Sequence, residues 1–153
     1  MENNIKTNKH CEPNKIHLIH FEANLKIKNW RIPEGAYRVV LLDSEIENEA
    51  HIFRFQVISL VDEIYEYWVR NRYRPEDMKK LRTHLINWLG EAEFRNLIKD
   101  GNINLQDLYG READVFVKFI SSGNREPLRV IETIAPPGTL VHVPEALKNK
   151  TLI

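Results

Sequence analysis

The fold turns on one stretch: Phe53-Arg-Phe-Gln-Val-Ile-Ser-Leu-Val-Asp-Glu-Ile-Tyr-Glu-Tyr-Trp68, then Val69-Arg-Asn-Arg-Tyr-Arg-Pro75, then Glu76-Asp-Met-Lys-Lys-Leu-Arg-Thr-His-Leu-Ile-Asn-Trp-Leu89. Phe53, Val57, Leu60, Val61, Ile64 and Trp68 follow one another at spacings of four, three, one, three and four. That is the spacing of one helix face, and it predicts an amphipathic helix over 53–68 with Arg54, Asp62, Glu63 and Glu66 opposite. Pro75 disfavours helical geometry at Arg74 and suits the first turn of a new helix. Glu76 and Asp77 occupy that turn, Met78, Leu81, Leu85, Trp88 and Leu89 form a second stripe, and Gly90 supplies a stop. The centre of the fold is therefore expected to be a helix pair meeting at a basic elbow.

Working outward, residues 1–14 are polar and aperiodic and are expected to be a disordered tail. Residues 16–28 alternate imperfectly and suit a strand, Pro33-Glu-Gly35 punctuates, and residues 36–42 read as a second strand paired antiparallel to the first, with Trp30 near the connection. Asp43 or Ser44 is a candidate cap for the helix that follows. Beyond Gly90, residues 91–99 suit a short helix ended by Gly101, and a further turn is expected at 105–109. Residues 114–120 and 128–134 are β-rich runs flanking a loop, and so predict a hairpin. Residues 135–138 break it, 139–143 suit one more short strand, and a single helical turn fits near the end. The expected fold class is α+β: a central amphipathic helix pair on a mainly antiparallel sheet from N-terminal strands and a C-terminal hairpin, in one domain over 15–153.

Composition narrows the function classes. With 42% hydrophobic residues the chain can fill a core, and Lys plus Arg balance Asp plus Glu at 22 each. No bulk field then draws it to DNA or anionic lipid, and any electrostatic partner has to be met locally. The single cysteine, Cys11, excludes an intramolecular disulfide. The first residues lack the apolar centre of a signal peptide, and the longest aliphatic run, 39–42, is far short of the ~20 residues a membrane helix needs. No membrane partner is expected, and a cytoplasmic location is the simplest expectation.

The locally charged feature is the elbow. Arg70, Arg72, Arg74, Lys79, Lys80 and Arg82 face only Glu76 and Asp77 between residues 70 and 82. Residues 43–66 are the reverse, with seven acidic side chains against Arg54 alone. Tyr73 sits among the arginines, where it would stack on a base or a guanidinium, and Tyr67 lies off the apolar stripe as a candidate contact residue. Phosphate or protein contact is one explanation. The plainer one is helix-end charge, or pairing of the arginines with a neighbour's acidic face.

Other constellations carry less. His10, Cys11, His17 and His20 lack the paired spacing of a zinc site, and two histidines three apart on a strand point to opposite faces. Residues 100–107 alternate oxygen-bearing side chains as a calcium loop does, but Leu105 stands at the glycine position and Arg111 at the bidentate glutamate. No nucleophile, zincin, Walker or dinucleotide pattern is present, so no catalytic residue, metal ligand or cofactor is assigned. An enzyme would need a pocket joining His51 or His84 to a carboxylate. The leading expectation is a non-catalytic binding or regulatory module that engages a protein partner through the elbow. Nucleic acid is the alternative partner, an enzyme the third reading, and the 16–27 edge makes a homodimer conceivable.

Overall fold

Alternation, not helical spacing, governs the chain from residue 35 to residue 73. The computed structural model describes residues 16–19, 25–121 and 123–142. In order it holds β1 (Ile27–Asn29), β2 (Gly35–Glu47), β3 (Ala50–Val57), β4 (Tyr65–Tyr73) and a 3-10 turn (Pro75–Asp77). Then come α1 (Met78–Leu89), α2 (Glu91–Leu97), the short pair β5 (Ile98–Lys99) and β6 (Asn102–Ile103), a 3-10 turn (Leu105–Leu108), β7 (Glu112–Ile120) and β8 (Leu128–Ala135). The fold is α+β, with both helices packed on a mostly antiparallel six-stranded sheet of order β1-β4-β3-β2-β7-β8.

The helix expected over 53–68 is instead a β-hairpin and its connection. Phe53, Phe55 and Val57 point inward while Arg54 and Gln56 lie at the surface, and Val69, Asn71 and Tyr73 repeat the pattern on β4. A period of two and a period of 3.6 share positions such as 53 and 57, so the apolar stripe alone does not separate them. The residue types do: Ile52, Phe53, Phe55, Val57, Tyr65, Tyr67, Trp68 and Val69 are β-branched or aromatic, and fit a pleated surface better than a helix. Asp62 makes the break, its Oδ1 accepting the backbone N–H of Ile64 (2.7 Å) and Tyr65 (2.9 Å).

Other expectations change with it. Asp43 and Ser44 cap nothing, since β2 runs through them to a turn in which Asn48 and Glu49 both have positive φ, 51° and 67°. Two positive φ values in a two-residue loop mark the type I′ turn, whose twist matches paired strands. Gly101 is the second residue of another such turn, with Asp100 at 54° and Gly101 at 78°, rather than a helix end. Of residues 16–28, only Ile27 and Lys28 are in a described strand, and that strand runs parallel to β4 instead of antiparallel to β2. Residues 139–142 form no strand. The 1–14 tail, Val143 and the C-terminal turn lie outside the described residues. The second helix from Pro75, the short third helix, the turn at 105 and the C-terminal hairpin stand where the sequence puts them.

The sheet curls. β8, last in order, comes back against β4, and the Ile131 N–H donates to Asn71 Oδ1 at 2.9 Å across the seam. Five strands, ordered β4-β3-β2-β7-β8 with β8 returning parallel to β4, make a partly open Greek-key barrel of the OB type. The helices connect its third and fourth strands, and α1 closes the core. Leu85 and Trp88 are buried, the Trp88 ring stands edge-on to Phe55, and its Nε1–H donates to Glu112 O at 2.9 Å.

Candidate functional site

The outer faces of β3 and β4 carry the exposed half of the basic elbow. Arg54 is paired in register with Arg70, and Ile52 with Arg72. Alternation sends all three arginines away from the core, while β2 sends Asp43, Glu45 and Glu47 out beside them. Arg54 binds Asp43 at 3.0 Å and also Glu45, and Arg72 binds Glu47 at 2.7 Å. Hydrogen bonds donated by Arg54 to both carboxylates, the one to Asp43 first, strengthen its hold on its proton against the opposing effect of burial. The charge asymmetry expected along one helix is thus a ladder across three strands. Such surface pairs are worth only about 0–1 kcal/mol each, so these arginines exchange partners at little cost.

Arg70 is different. Among the described residues its assigned contact is the Trp30 ring, with the guanidinium carbon 5.8 Å from the ring centroid. Trp30 lies 5.6 Å from Trp68, and Lys28 Nζ sits 4.5 Å over the Trp68 ring. Trp68, expected on a helix stripe, is buried on the outer side of β4 beneath these groups, its Nε1–H donating to Glu66 at 2.7 Å. The arm before β2 is what holds Trp30 in place. Lys26 Nζ donates to Asp62 O at 2.6 Å, Ile32 is fully buried, and the Ile32 carbonyl accepts from Arg129 Nε at 2.8 Å. The arm therefore crosses from β4 to β8 over the seam.

A pocket of about 280 Å³ opens there, between Trp30, Arg31, Arg70, Pro127, Leu128 and Arg129, with Val69 and Glu126 completing it. Arg31 and Arg129 both reach Glu126, at 3.2 Å and 3.4 Å.

The remaining residues of the expected surface are scattered. Tyr73 is 1% exposed, so its ring stacks on no partner. Its hydroxyl lies 2.7 Å from His84 Nδ1, and burial pushes its pKa up. Tyr67 is half-buried on the inner side, with its hydroxyl on Asp62 at 3.3 Å. Arg74 is held by Asp77 (3.3 Å) and Glu76 (3.6 Å) of its own turn. Lys79, Lys80 and Arg82 lie on α1, not on the sheet, and Arg82 covers the Phe94 ring at 5.2 Å. The elbow is thus a strand end meeting a 3-10 turn, and only Arg70 and Arg72 share the face. Trp30, Lys28 and Arg54 belong with them and are not singled out by the sequence reading. An aromatic flanked by cations, Lys28-Asn-Trp-Arg31, is the signal that could have found them.

Two further polar features are structural. Asp114 is fully buried, paired with Arg38, and its Oδ2 accepts N–H groups from Gly138, Leu140 and Val141 at 2.8–2.9 Å. Burial works to raise its pKa, but Arg38 and the backbone donors prevail and hold it below the usual carboxylate range. His51 lines a wider groove of about 700 Å³ with Ile46, Met78, Leu81 and Tyr109. Glu45 is the one carboxylate among its lining residues, and it also serves Arg54.

His10, Cys11 and His20 lie outside the described residues, and among those described no group of three or more His, Cys, Asp or Glu side chains is set to hold a metal. Among the described residues no helix is long and apolar enough to cross a membrane. No protein-family model matches the chain, and no curated protein matches its sequence.

Proposed function

We propose that this chain is a nucleic-acid-binding protein that takes its ligand along the outer face of β3 and β4. The observation that carries the reading is the gathering of Trp30, Lys28, Arg54, Arg70 and Arg72 on one face of the barrel. Cations track a phosphate backbone and an aromatic platform accepts bases, which is the recurrent recipe for strand binding. By analogy of fold, the second and third strands of an OB barrel, here β3 and β4, present the face that takes oligonucleotides. The carboxylates beside these arginines, Asp43, Glu45 and Glu47 of β2, hold Arg54 and Arg72 through surface pairs that a phosphate backbone displaces at little cost.

The test is fluorescence anisotropy with labelled single- and double-stranded oligonucleotides, at low and near-physiological salt. The natural chain is compared with a folded Arg70→Ala/Arg72→Ala variant. Affinity is expected to fall with salt, and the variant to lower the logarithmic slope by roughly 0.7 for each single-strand phosphate that the missing arginines no longer neutralise. Absence of binding even at low salt would overturn the proposal. A protein partner is the second reading, favoured by Ile27, Val61 and Ile64, which are exposed by 61%, 55% and 60% around the β1–β4 pairing.

A further inference from the structure

Resting on that reading, we infer that the pocket at the β4–β8 seam is a seat for one unstacked nucleobase, which commits the protein to single strands. Its walls are of the right kind. Trp30 offers an indole and Arg70 a guanidinium plane, the two groups on which bases stack. Pro127 and Leu128 line it from the β8 side, and Leu128 is 59% exposed with no core role to account for it.

Charge fits the same ligand. Arg31, Arg70 and Arg129 surround the opening and Glu126 is the one carboxylate among the lining residues, so a base arriving with its phosphates meets an excess of positive charge. The seat is built, not incidental. Arg129 is fixed by the Ile32 carbonyl and by the Phe119 ring 4.8 Å away, and Trp30 is backed by the buried Trp68. A base inside a duplex has both faces covered by its neighbours and cannot reach an indole without leaving the stack. The seat therefore selects strands that are already unpaired, DNA or RNA alike, where the ladder of arginines alone would take either form.

The experiment changes the ligand before the protein. Anisotropy competition compares a labelled single-stranded DNA of mixed sequence, its RNA counterpart, the matching duplex, and the same DNA backbone with abasic sites throughout. The natural chain is expected to bind the abasic strand and the duplex about tenfold or more weaker than the intact strand, the range set by stacking of one base. Trp30→Ala is expected to abolish that preference while leaving the salt slope unchanged. Leu128→Asn, an uncharged change at an exposed position, serves if Trp30→Ala fails to fold. Equal affinity for intact and abasic strands, with salt-dependent binding preserved, overturns the seat and leaves the phosphate-binding face standing. Absence of binding by every oligonucleotide removes both.

Discussion

At the scale of single residues, the buried polar groups are matched so closely that protonation acts on stability. The His84 ring satisfies both nitrogens in one neutral form: Nδ1 accepts from the Tyr73 hydroxyl at 2.7 Å, and Nε2–H donates to the Glu132 carbonyl at 3.2 Å. Burial lowers the pKa of His84, the Glu132 carbonyl opposes that, and Lys80 reinforces it. In the unfolded chain the imidazole titrates near its ordinary value of about 6.5. As pH falls through that value the unfolded state takes up a proton and the folded state does not, so stability is lost downward from there until the lower folded pKa is passed. The urea midpoint of the natural chain is expected to drop between about pH 7.5 and about pH 5, and the drop to shrink in His84→Gln. A midpoint flat over that interval would show that the ring charges without disturbing its partners. Asp114 acts by the same sign but only in acid, because its carboxylate is held ionised below the usual range by Arg38 and the 138–141 backbone.

At the scale of elements, the two tight turns differ in how well their sequences suit them. Asp100-Gly101 is a preferred pair for two positive φ values, whereas Asn48-Glu49 places a side chain where glycine is favoured. The left-handed conformation costs a residue with a Cβ roughly 1–2 kcal/mol, partly offset by the entropy glycine loses on folding. Glu49→Gly is therefore expected to stabilise the chain by about 0.5–1 kcal/mol, seen as a higher urea midpoint at unchanged slope. A lower midpoint would mean that Glu49 makes a compensating contact. The connection between β3 and β4 explains how much of the fold is legible in the sequence. Residues 58–64 hold no Gly or Pro and turn on Asp62 alone, so the strands on either side merge into a helical pattern that shares Phe53 and Val57 with the real alternation. Where punctuation is strong, at Pro75, Gly90 and 121–127, the helices and final hairpin are readable. The elbow is visible as charge, but which arginines share a face depends on a period of two, and Trp30 joins them only through tertiary packing.

At the scale of the whole molecule, the barrel has one weak line, the β4–β8 seam, and the candidate base seat lies along it. The two strands meet with the Asn71 side chain standing in for a ladder carbonyl, its Oδ1 taking the Ile131 N–H in a buried setting. Around that bond, α1 packs from within through His84 and Trp88, and the Trp30–Ile32 arm straps the outside. Asn71→Ala removes the acceptor and leaves a buried N–H unsatisfied, at an expected cost of about 1–3 kcal/mol. Its second consequence is specific to the seat, because Trp30 and Arg70 stand on one side of the seam and Leu128 and Arg129 on the other. Loosening the seam changes their separation without changing any charge. The variant is expected to remain folded, to lose preference for an intact over an abasic strand, and to keep the salt slope of the natural chain. If stability falls while the preference stays intact, the arm alone sets the seat and the seam is only scaffold. If preference and slope fall together, the seam positions the arginine ladder as well, and seat and ladder form one cooperative surface.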